Sequence, residues 1–270
     1  MSIIAEAQNA GLWCRCWKML SCEANDDEIS MKLLLILNKI RKNCWVLRFL
    51  PQILFFNFKM LPFQQALKLP IWLYKPKFGK LTGKVIFDMP ESDIKMGLIR
   101  IGTFEVNIFP NSGCMIDNRG LIKFKGRCSI GNNSFLSVGE TGHLAFGDCF
   151  CCTSSMKLVC YHSITFGNRV LVGWDCLFMD TDFHVLTRSD GSQTKGYAPI
   201  YIGDDVWFGF GCKVFKRAVV PSQCVVSAQT ILSETIDAPE RSVLGNDNKI
   251  IVKARGVYHK YADDKIIFCS

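Results

Sequence analysis

The sequence predicts an all-β core in which short parallel strands wind into a β-helix of 18-residue coils. Large apolar residues recur at every sixth position, and small or thin residues recur four positions after them. Glycine follows the large residue in several units, as in Phe166-Gly167 and Ile202-Gly203. Six residues suit one short strand and a tight turn, so three such units would close one triangular coil.

The six-residue period covers eight large and eight smaller positions. The large residues are Phe166, Val172, Phe178, Ile202, Phe208, Val214, Val220 and Val226. The residues four positions later are Val170, Cys176, Asp182, Val206, Cys212, Ala218, Cys224 and Thr230. Seven of these smaller residues are thin enough to point into a narrow interior. The pattern therefore predicts that the three cysteines in this set are buried as small, weakly polar side chains.

The segments on either side of the repeat have a different character. Residues 1–30 carry 2 basic and 5 acidic groups, and we expect a poorly ordered extension there. Residues 31–80 form an amphipathic, basic, helical or irregular segment. Two interpretations of this segment stay open: a helix packed on the main domain, or a peripheral membrane contact through residues 31–75. We expect the β-helix over residues 81–238 and a short C-terminal extension over 239–270.

Composition narrows the class of protein. With 49% hydrophobic and 21% charged residues, the chain is not a disordered tail, a collagen-like repeat or a coiled coil. No apolar run approaches the roughly 20 residues of a transmembrane helix. No secretion signal is recognisable, so we expect a cytoplasmic protein, at the inner face of the membrane if the basic segment binds lipid, without a framework of disulfides among its 14 cysteines. The net charge of +8 comes with no nucleic-acid-binding motif, and no nucleic-acid partner is expected.

The period breaks once. Residues 184–201 span the length of one coil, but the positions expected to be large and apolar are His184, Asp190 and Gly196. Because the phase resumes at Ile202, we predict an active-site loop over 184–201 that leaves the stack and returns in register. Loops held by a rigid scaffold are common places for binding and catalytic residues.

Three polar residues lie at the root of this loop. Alternate residues of an extended strand face the same side, so Asp180, Asp182 and His184 are predicted to line one surface. A neighbouring carboxylate fixes the tautomer of a histidine and stabilises its imidazolium form, which suits a general base near neutral pH. We therefore predict His184 as the base, Asp182 as the carboxylate that orients it, and Asp180 as the second candidate for that role.

The motifs around the loop resemble a known family. They are the segments 180–184, 202–209, 212–220, 226–231 and 242–246, followed by Lys249. Together they are similar to the hexapeptide-repeat acyltransferases, the left-handed parallel β-helix family. The similarity is greatest to the branch of maltose, galactoside and serine acetyltransferases and polysaccharide O-acetyltransferases. The resemblance covers roughly residues 95–252.

The resemblance implies a left-handed winding, acetyl-CoA as co-substrate, and a homotrimer with active sites between neighbouring subunits. It implies that His184 is the base and that Trp207 lies beside the groove for the donor. It implies that the backbone amide of Ala228 contacts the pantetheine arm and that Lys249 lies near the CoA phosphates. Lys216 stands where the family has a lysine or proline before a glycine, and it is assigned to the donor site as well.

The sequence thus predicts an acetyl-CoA-dependent O-acetyltransferase that acts by direct transfer on a sugar hydroxyl of a surface polysaccharide or its precursor. The alternative from another class is a non-catalytic β-helix scaffold or carbohydrate-binding protein. An amine acceptor, a small soluble acceptor and an acyl group larger than acetyl stay open. No metal is expected, because the four histidines include no H-x-x-x-x-H pair to hold zinc at a subunit seam. No cysteine is singled out next to a base for a covalent route.

Overall fold

The protein is a parallel β-helix. A computed structural model describes residues 44–104, 106, 108–184 and 195–246, together with the backbone of 250–254. Its strands form three sheets, here called A, B and C, and all strand pairs are parallel except the last. The predicted all-β core of stacked coils is confirmed, and the extension predicted over residues 1–30 lies outside the described residues.

The chain passes through the three sheets in turn. Sheet A contains β1 (Ile71–Leu73), β4 (Ile99–Thr103), β7 (Cys128–Gly131), β10 (Phe150–Cys152), β13 (Leu171–Val172), β16 (Trp207–Phe208), β19 (Val225–Val226), β21 (Val243–Asn246) and β22 (Ile250–Ala254). Sheet B contains β2 (Pro76–Leu81), β5 (Cys114–Asn118), β8 (Ser134–Val138), β11 (Lys157–Cys160), β14 (Leu177–Met179), β17 (Lys213–Phe215) and β20 (Ile231–Leu232). Sheet C contains β3 (Lys84–Phe87), β6 (Leu121–Phe124), β9 (His143–Phe146), β12 (Ser163–Phe166), β15 (Ile200–Ile202) and β18 (Val219–Val220). Each strand from β1 to β17 pairs with the third strand after it, whereas at the end of sheet A, β19 pairs with β21 and β21 with β22.

A ladder of phenylalanines fills the interior of the coils. Phe124, Phe146 and Phe166 lie on successive strands of sheet C, and their rings are stacked with neighbouring centroids 5.4 Å apart. Phe150 meets this stack edge-on, 4.7 Å from Phe146 and 4.9 Å from Phe166. All four side chains are buried. Stacked and edge-on ring pairs at these distances stabilise the core beyond the burial of apolar area.

Each coil turns its corners through residues with positive φ. Seven of these residues directly precede one of the smaller residues of the predicted six-residue period, and they are Arg169, Asp175, Asp205, Gly211, Arg217, Gln223 and Gln229. The left-handed conformation changes the direction of the chain within one residue, which is the tight turn that a six-residue unit requires. The predicted burial of Cys176, Cys212 and Cys224 is confirmed, and all three are free thiols.

In the part of the chain that the structure describes, three short helices close the N-terminal end of the stack. They are α1 (Trp45–Arg48), α2 (Leu50–Met60) and α3 (Phe63–Ala66). The buried face of α2, with Ile53, Phe56 and Met60, packs against the first coil. The buried Asn57 side chain donates to the carbonyls of Ile53 (2.8 Å) and Ile71 (2.7 Å) and accepts from the amide of Ile71 (3.1 Å). Of the two interpretations of the basic segment, a helix packed on the main domain describes α2, which covers the end of the stack at β1 through apolar contacts and the hydrogen bonds of Asn57.

The coil stack is longer than the sequence predicted. It begins at β1, ahead of the expected boundary at residue 81, and sheet A continues to β21, beyond residue 238. The period is hidden at the start because the connections are long: a 3-10 helix, Glu91–Asp93, separates β3 from β4. At the other end no strand of sheet C is assigned between β20 and β21, and β22 folds back antiparallel on β21. No helix in the described part of the chain is long and apolar enough to span a membrane.

Candidate active site at the corner between sheets B and C

One insertion interrupts the corner between sheets B and C. The strand β14 ends at Met179 and β15 begins at Ile200, so the insertion comprises residues 180–199. Its two stems pair as an antiparallel ladder: the amide of Asp182 donates to the Gly196 carbonyl (2.8 Å), and that of Ala198 to the Asp180 carbonyl (3.1 Å).

The loop predicted over 184–201 is thus shifted in the structure, where it begins at residue 180 and ends at residue 199. Its last two residues, Ile200 and Tyr201, already pair with β12 in sheet C. Residues 185–194, which include the predicted turn Asp190-Gly191-Ser192, lie outside the described residues. The phase of the coil is recovered because the paired stems return the chain to the corner from which it left.

Asp180 anchors the first stem to the coil below. The residue is fully buried, and its carboxylate accepts hydrogen bonds from the backbone amides of Tyr161 and His162, both at 2.8 Å. Both carboxylate oxygens are therefore used on the backbone. Hydrogen bonds from amides to a buried carboxylate are strong, because the acceptor carries a full charge.

The chain turns outward at Phe183. This residue has a φ of 59°, and its ring meets that of Tyr161 edge-on with centroids 4.8 Å apart. Its amide donates to the Thr181 hydroxyl at 3.0 Å. A left-handed conformation is rare for a bulky aromatic residue and marks a sharp turn or strain, which is common at functional sites. The next residue, His184, is exposed.

The three residues predicted to line one surface do not do so. Asp180 is buried, whereas Asp182 and His184 are exposed. Within the described residues no hydrogen bond joins the imidazole of His184 to either carboxylate. The alternation rule fails here because β14 ends at Met179, so residues 180–184 are a stem and a turn instead of one extended strand.

An open cleft of about 470 Å³ lies beside the insertion, and we call it the Lys216 cleft. Its lining includes Asp182, Phe215, Lys216, Arg217 and Ser233. The ammonium group of Lys216 forms an ion pair with the Asp182 carboxylate. Because two cations and one carboxylate line the cleft, it carries a net positive charge that suits an anionic group.

Two buried thiols of the coil stack, of which Cys160 lies near this corner, are poor nucleophiles. Burial, with a smaller contribution from the Asp180 carboxylate, raises the pKa of the Cys160 thiol. Burial also raises the pKa of the Cys114 thiol to about 12. Because the thiolate is the reactive species, these pKa values disfavour a covalent intermediate on either cysteine.

The residues assigned to the donor lie in different parts of the coil. Trp207 is in β16 on sheet A, with 39% of its surface exposed, and Ala228 is exposed just after β19. Lys216 lies at the opposite corner, between sheets B and C. In a triangular coil the face of sheet A is opposite that corner, so one chain does not bring Trp207 and His184 together. Lys249 is outside the described residues.

Sequence reasoning missed the residues that hold the insertion from the coil below. The Tyr161 hydroxyl accepts from Arg119 Nη2 at 2.7 Å, and the ring of His162 lies 4.8 Å from that of Tyr197 in the second stem. The nitrogen of Lys195 lies 4.6 Å from the Tyr197 ring centroid. The signal that could have revealed Tyr161 is its place one coil before the insertion, at the same corner.

In the part of the chain that the structure describes, no three side chains among His, Cys, Asp and Glu are grouped as metal ligands.

A scan of the sequence against models of protein families finds no matching family. An uncharacterised 24.8 kDa protein of the cps region of Klebsiella pneumoniae is 28% identical over 148 residues. That match spans 55% of this chain and 63% of the relative's length.

Solved structures with a similar course of the chain include acetyltransferases. The polySia-specific acetyltransferase NeuO aligns with a TM-score of 0.46 at 16% identity over 71% of this chain and 75% of its own. A hexapeptide-repeat acetyltransferase of Vibrio cholerae, solved with acetyl-CoA, aligns with a TM-score of 0.36 at 14% identity over 76% of this chain and 84% of its own. These proteins belong to the group that the sequence motifs resemble.

Proposed function

We propose that this protein is an acetyl-CoA-dependent O-acetyltransferase that modifies a sugar hydroxyl of a surface polysaccharide or its precursor. One observation carries the proposal. The six-residue pattern is interrupted by an insertion whose first stem carries Asp182, which lines a positively charged cleft, and, two residues later, the exposed His184. A histidine next to a site for an anionic substrate is the arrangement that base-assisted transfer from a nucleotide thioester requires.

The proposed reaction is a direct transfer. The imidazole of His184 takes the proton of the acceptor hydroxyl, and the hydroxyl oxygen attacks the thioester carbonyl carbon. Backbone amides stabilise the oxyanion that forms. The carbon–sulfur bond then breaks, and the leaving thiolate takes the proton from the imidazolium. No covalent enzyme intermediate forms, which agrees with the raised pKa of the Cys160 thiol.

The two carboxylates have separate roles in this proposal. Asp180 holds the insertion in place, since both of its oxygens bind backbone amides. Asp182 is exposed next to His184 and is the carboxylate that we assign to the imidazole. Its ion pair with Lys216 would open when Lys216 binds an anionic group of the donor. The exposed pair is weak enough for such an exchange.

A homotrimer would complete the site. Trp207 and Ala228 belong to the part of the coil that faces away from His184, so a donor that contacts all three must lie between two copies of the chain. We therefore propose that one subunit supplies His184 and Lys216, and that its neighbour supplies Trp207, the Ala228 amide and Lys249. This division agrees with the arrangement that the sequence resemblance implies.

We also propose that the helical end of the stack contacts a membrane. Several large apolar side chains are exposed on or beside the three helices, and they are Leu47, Leu54, Phe55, Phe58, Phe63 and Leu67. Residues 31–100 carry 13 basic and 3 acidic groups. Apolar and cationic groups on one surface favour binding to anionic lipid.

Vesicle sedimentation tests the membrane contact. The protein should sediment with phosphatidylglycerol-containing vesicles and stay in solution with pure phosphatidylcholine. The pair Leu47→Ser and Phe63→Ser should abolish sedimentation, whereas Ile86→Ser, which changes an exposed apolar residue on sheet C, should not. Equal sedimentation of all variants would contradict the contact.

The enzymatic proposal is tested by calorimetric titration of acetyl-CoA together with a transfer assay. The His184→Ala variant should bind acetyl-CoA like the wild type, and its transfer rate should fall about 100- to 10,000-fold. His143→Ala is the matched control, since His143 is exposed on sheet C, and it should retain full activity. If neither protein binds acetyl-CoA, a non-catalytic scaffold or carbohydrate-binding protein is the better description.

A further inference from the structure

One row of outward-facing side chains runs along sheet B beside the corner that carries the insertion. Its members are half-buried and paired in register on successive strands, and they are Asp117, Ser137, Val159, Met179 and Phe215. Neighbouring parallel strands lie about 4.8 Å apart, so the row spans about 19 Å. One end of this sheet B row lies in the Lys216 cleft.

The other end of the row opens into a second cleft, of about 400 Å³, which we call the Arg119 cleft. Its apolar walls are Met115 and Phe135, which are 39% and 42% exposed. Its polar groups are Lys80, Arg119 and Asp117. A cleft with apolar walls and a few charged hydrogen-bonding groups is typical of a site for a polar organic ligand.

The guanidinium of Arg119 is held in place beside this cleft. Its Nη2 donates to Asp117 (3.1 Å) and to the hydroxyl of Tyr161 (2.7 Å), which holds the guanidinium in a fixed plane. Its Nε is buried and has no acceptor among the described residues. A guanidinium carries five N–H donors, so a ligand in the cleft would find a preorganised, charged partner.

Tyr161 contacts both Arg119 and the residue that precedes the candidate base. On one side it binds Arg119, and on the other its ring meets Phe183, the residue before His184. The ring lies against Gly139, where a Cβ atom would be only 2.5 Å from it. An alanine at that position would therefore displace the ring. The corner is shaped to keep this aromatic side chain between the Arg119 cleft and the candidate base.

We propose that the sheet B row is one elongated site that binds a glycan chain of several residues, from the Arg119 cleft to His184. The ligand chemistry fits both kinds of surface, since apolar and aromatic side chains pack against sugar rings while Arg119, Asp117 and Ser137 hydrogen-bond to hydroxyls. The inference rests on the proposed function in one respect, namely that the modified hydroxyl lies at the His184 end. The acceptor is thus a chain and not a single sugar.

The test measures binding as a function of chain length, on the full-length protein. The probes are an array of bacterial surface polysaccharides and their monosaccharide, disaccharide and hexasaccharide fragments. The variant Arg119→Gln is compared with Lys123→Ala, which removes a cation from sheet C that likewise pairs with an aspartate, Asp88 at 3.6 Å. Arg119→Gln should weaken hexasaccharide binding about tenfold or more and leave monosaccharide binding unchanged. Lys123→Ala should bind both like the wild type.

Three results would overturn the elongated site. They are an absence of binding to every fragment, equal affinity for monosaccharide and hexasaccharide, and a change of oligomeric mass in Arg119→Gln, which would make the cleft an interface between copies. Acetyl-CoA titration separates this proposal from the enzymatic one. Length-dependent glycan binding without acetyl-CoA binding would refute the transferase and leave the elongated site standing. Acetyl transfer that is equally fast to short and long acceptors would refute the elongated site and support the transferase.

Discussion

Replacing Asp180 by asparagine separates an anchoring role from a catalytic one. Asp180 is fully buried, and its two oxygens accept from the amides of Tyr161 and His162 at 2.8 Å. In Asp180→Asn one of these oxygens becomes an NH₂ group that faces an amide N–H. One charge-assisted hydrogen bond is lost, and two donors meet in a dry site.

The magnitude follows from these two contacts. A hydrogen bond to a charged group is worth about 1.5–3 kcal/mol, and an unsatisfied buried donor adds a penalty of similar size. We expect a net loss of about 3 kcal/mol in the free energy of unfolding, because the stem can shift by a fraction of an ångström. For a domain of this size that loss lowers Tm by about 6–12 °C.

The assay is differential scanning calorimetry, combined with the pH dependence of acetyl transfer well below Tm. Asp182→Asn is the matched control for stability alone: its side chain is 46% exposed and pairs with Lys216, so the substitution should lower the free energy of unfolding by under about 1 kcal/mol. Asp180→Asn should lower Tm and leave the pH profile unchanged. A variant with unchanged Tm but an altered pH profile would refute the anchoring role and restore Asp180 as a partner of the imidazole.

Three further predictions concern the core and the turn. Phe146→Ala, inside the aromatic ladder, should lower the free energy of unfolding by about 3–5 kcal/mol in urea titrations, whereas Phe135→Ala, at 42% exposure, should lower it by less than about 1 kcal/mol. Burial raises the pKa of Cys114 to about 12, so the folded state keeps this proton after the unfolded thiol has lost its own at about 8.5. Stability should therefore be complete below pH about 8.5 and fall above it, by up to about 1.4 kcal/mol per pH unit for this thiol, and Cys114→Ala should reduce that slope in urea titrations. Phe183→Gly should leave Tm nearly unchanged, because relief of the left-handed backbone offsets the lost ring contact, yet it should lower kcat because the backbone before His184 gains freedom; a full retention of kcat would contradict this role.

The interior of the coils was predictable because every coil imposes the same constraint. From β12 to β19, a strand of two to four residues leaves one or two inward positions, and the turn residue with positive φ fixes where the next unit begins. Phe166 and Val172 are six residues apart for this reason, and both are buried. The N-terminal strands β1 and β2 were missed because the connections that follow β3 and β4 have irregular lengths, so no fixed spacing links their inward residues.

The candidate site was predictable in its location but not in its geometry. The break in period located the insertion, since His184, Asp190 and Gly196 there replace the large apolar residues of the period. The prediction that Asp180 and Asp182 face the same side as His184 required the strand to continue beyond Met179, but β14 ends at that residue. The left-handed conformation of Phe183 carries no sequence signal, because a bulky aromatic residue is among the least expected at positive φ.

The contacts of the buried Asp180 carboxylate explain why no pair of residue types in the sequence could have revealed its anchoring role. Asp180 binds two backbone amides, and any residue at positions 161 and 162 other than proline supplies the same N–H groups. Asp180 therefore binds backbone groups whose position is set by the coil below, and the identity of the side chains there does not matter for these hydrogen bonds. The identities of Tyr161 and Gly139 do matter at this corner. The Tyr161 ring packs against Phe183, and Gly139 leaves the room that the ring needs. Anchoring and the proposed base chemistry thus belong to different residues. Asp180 holds the first stem to the coil below, and the turn at Phe183 leads to the exposed His184.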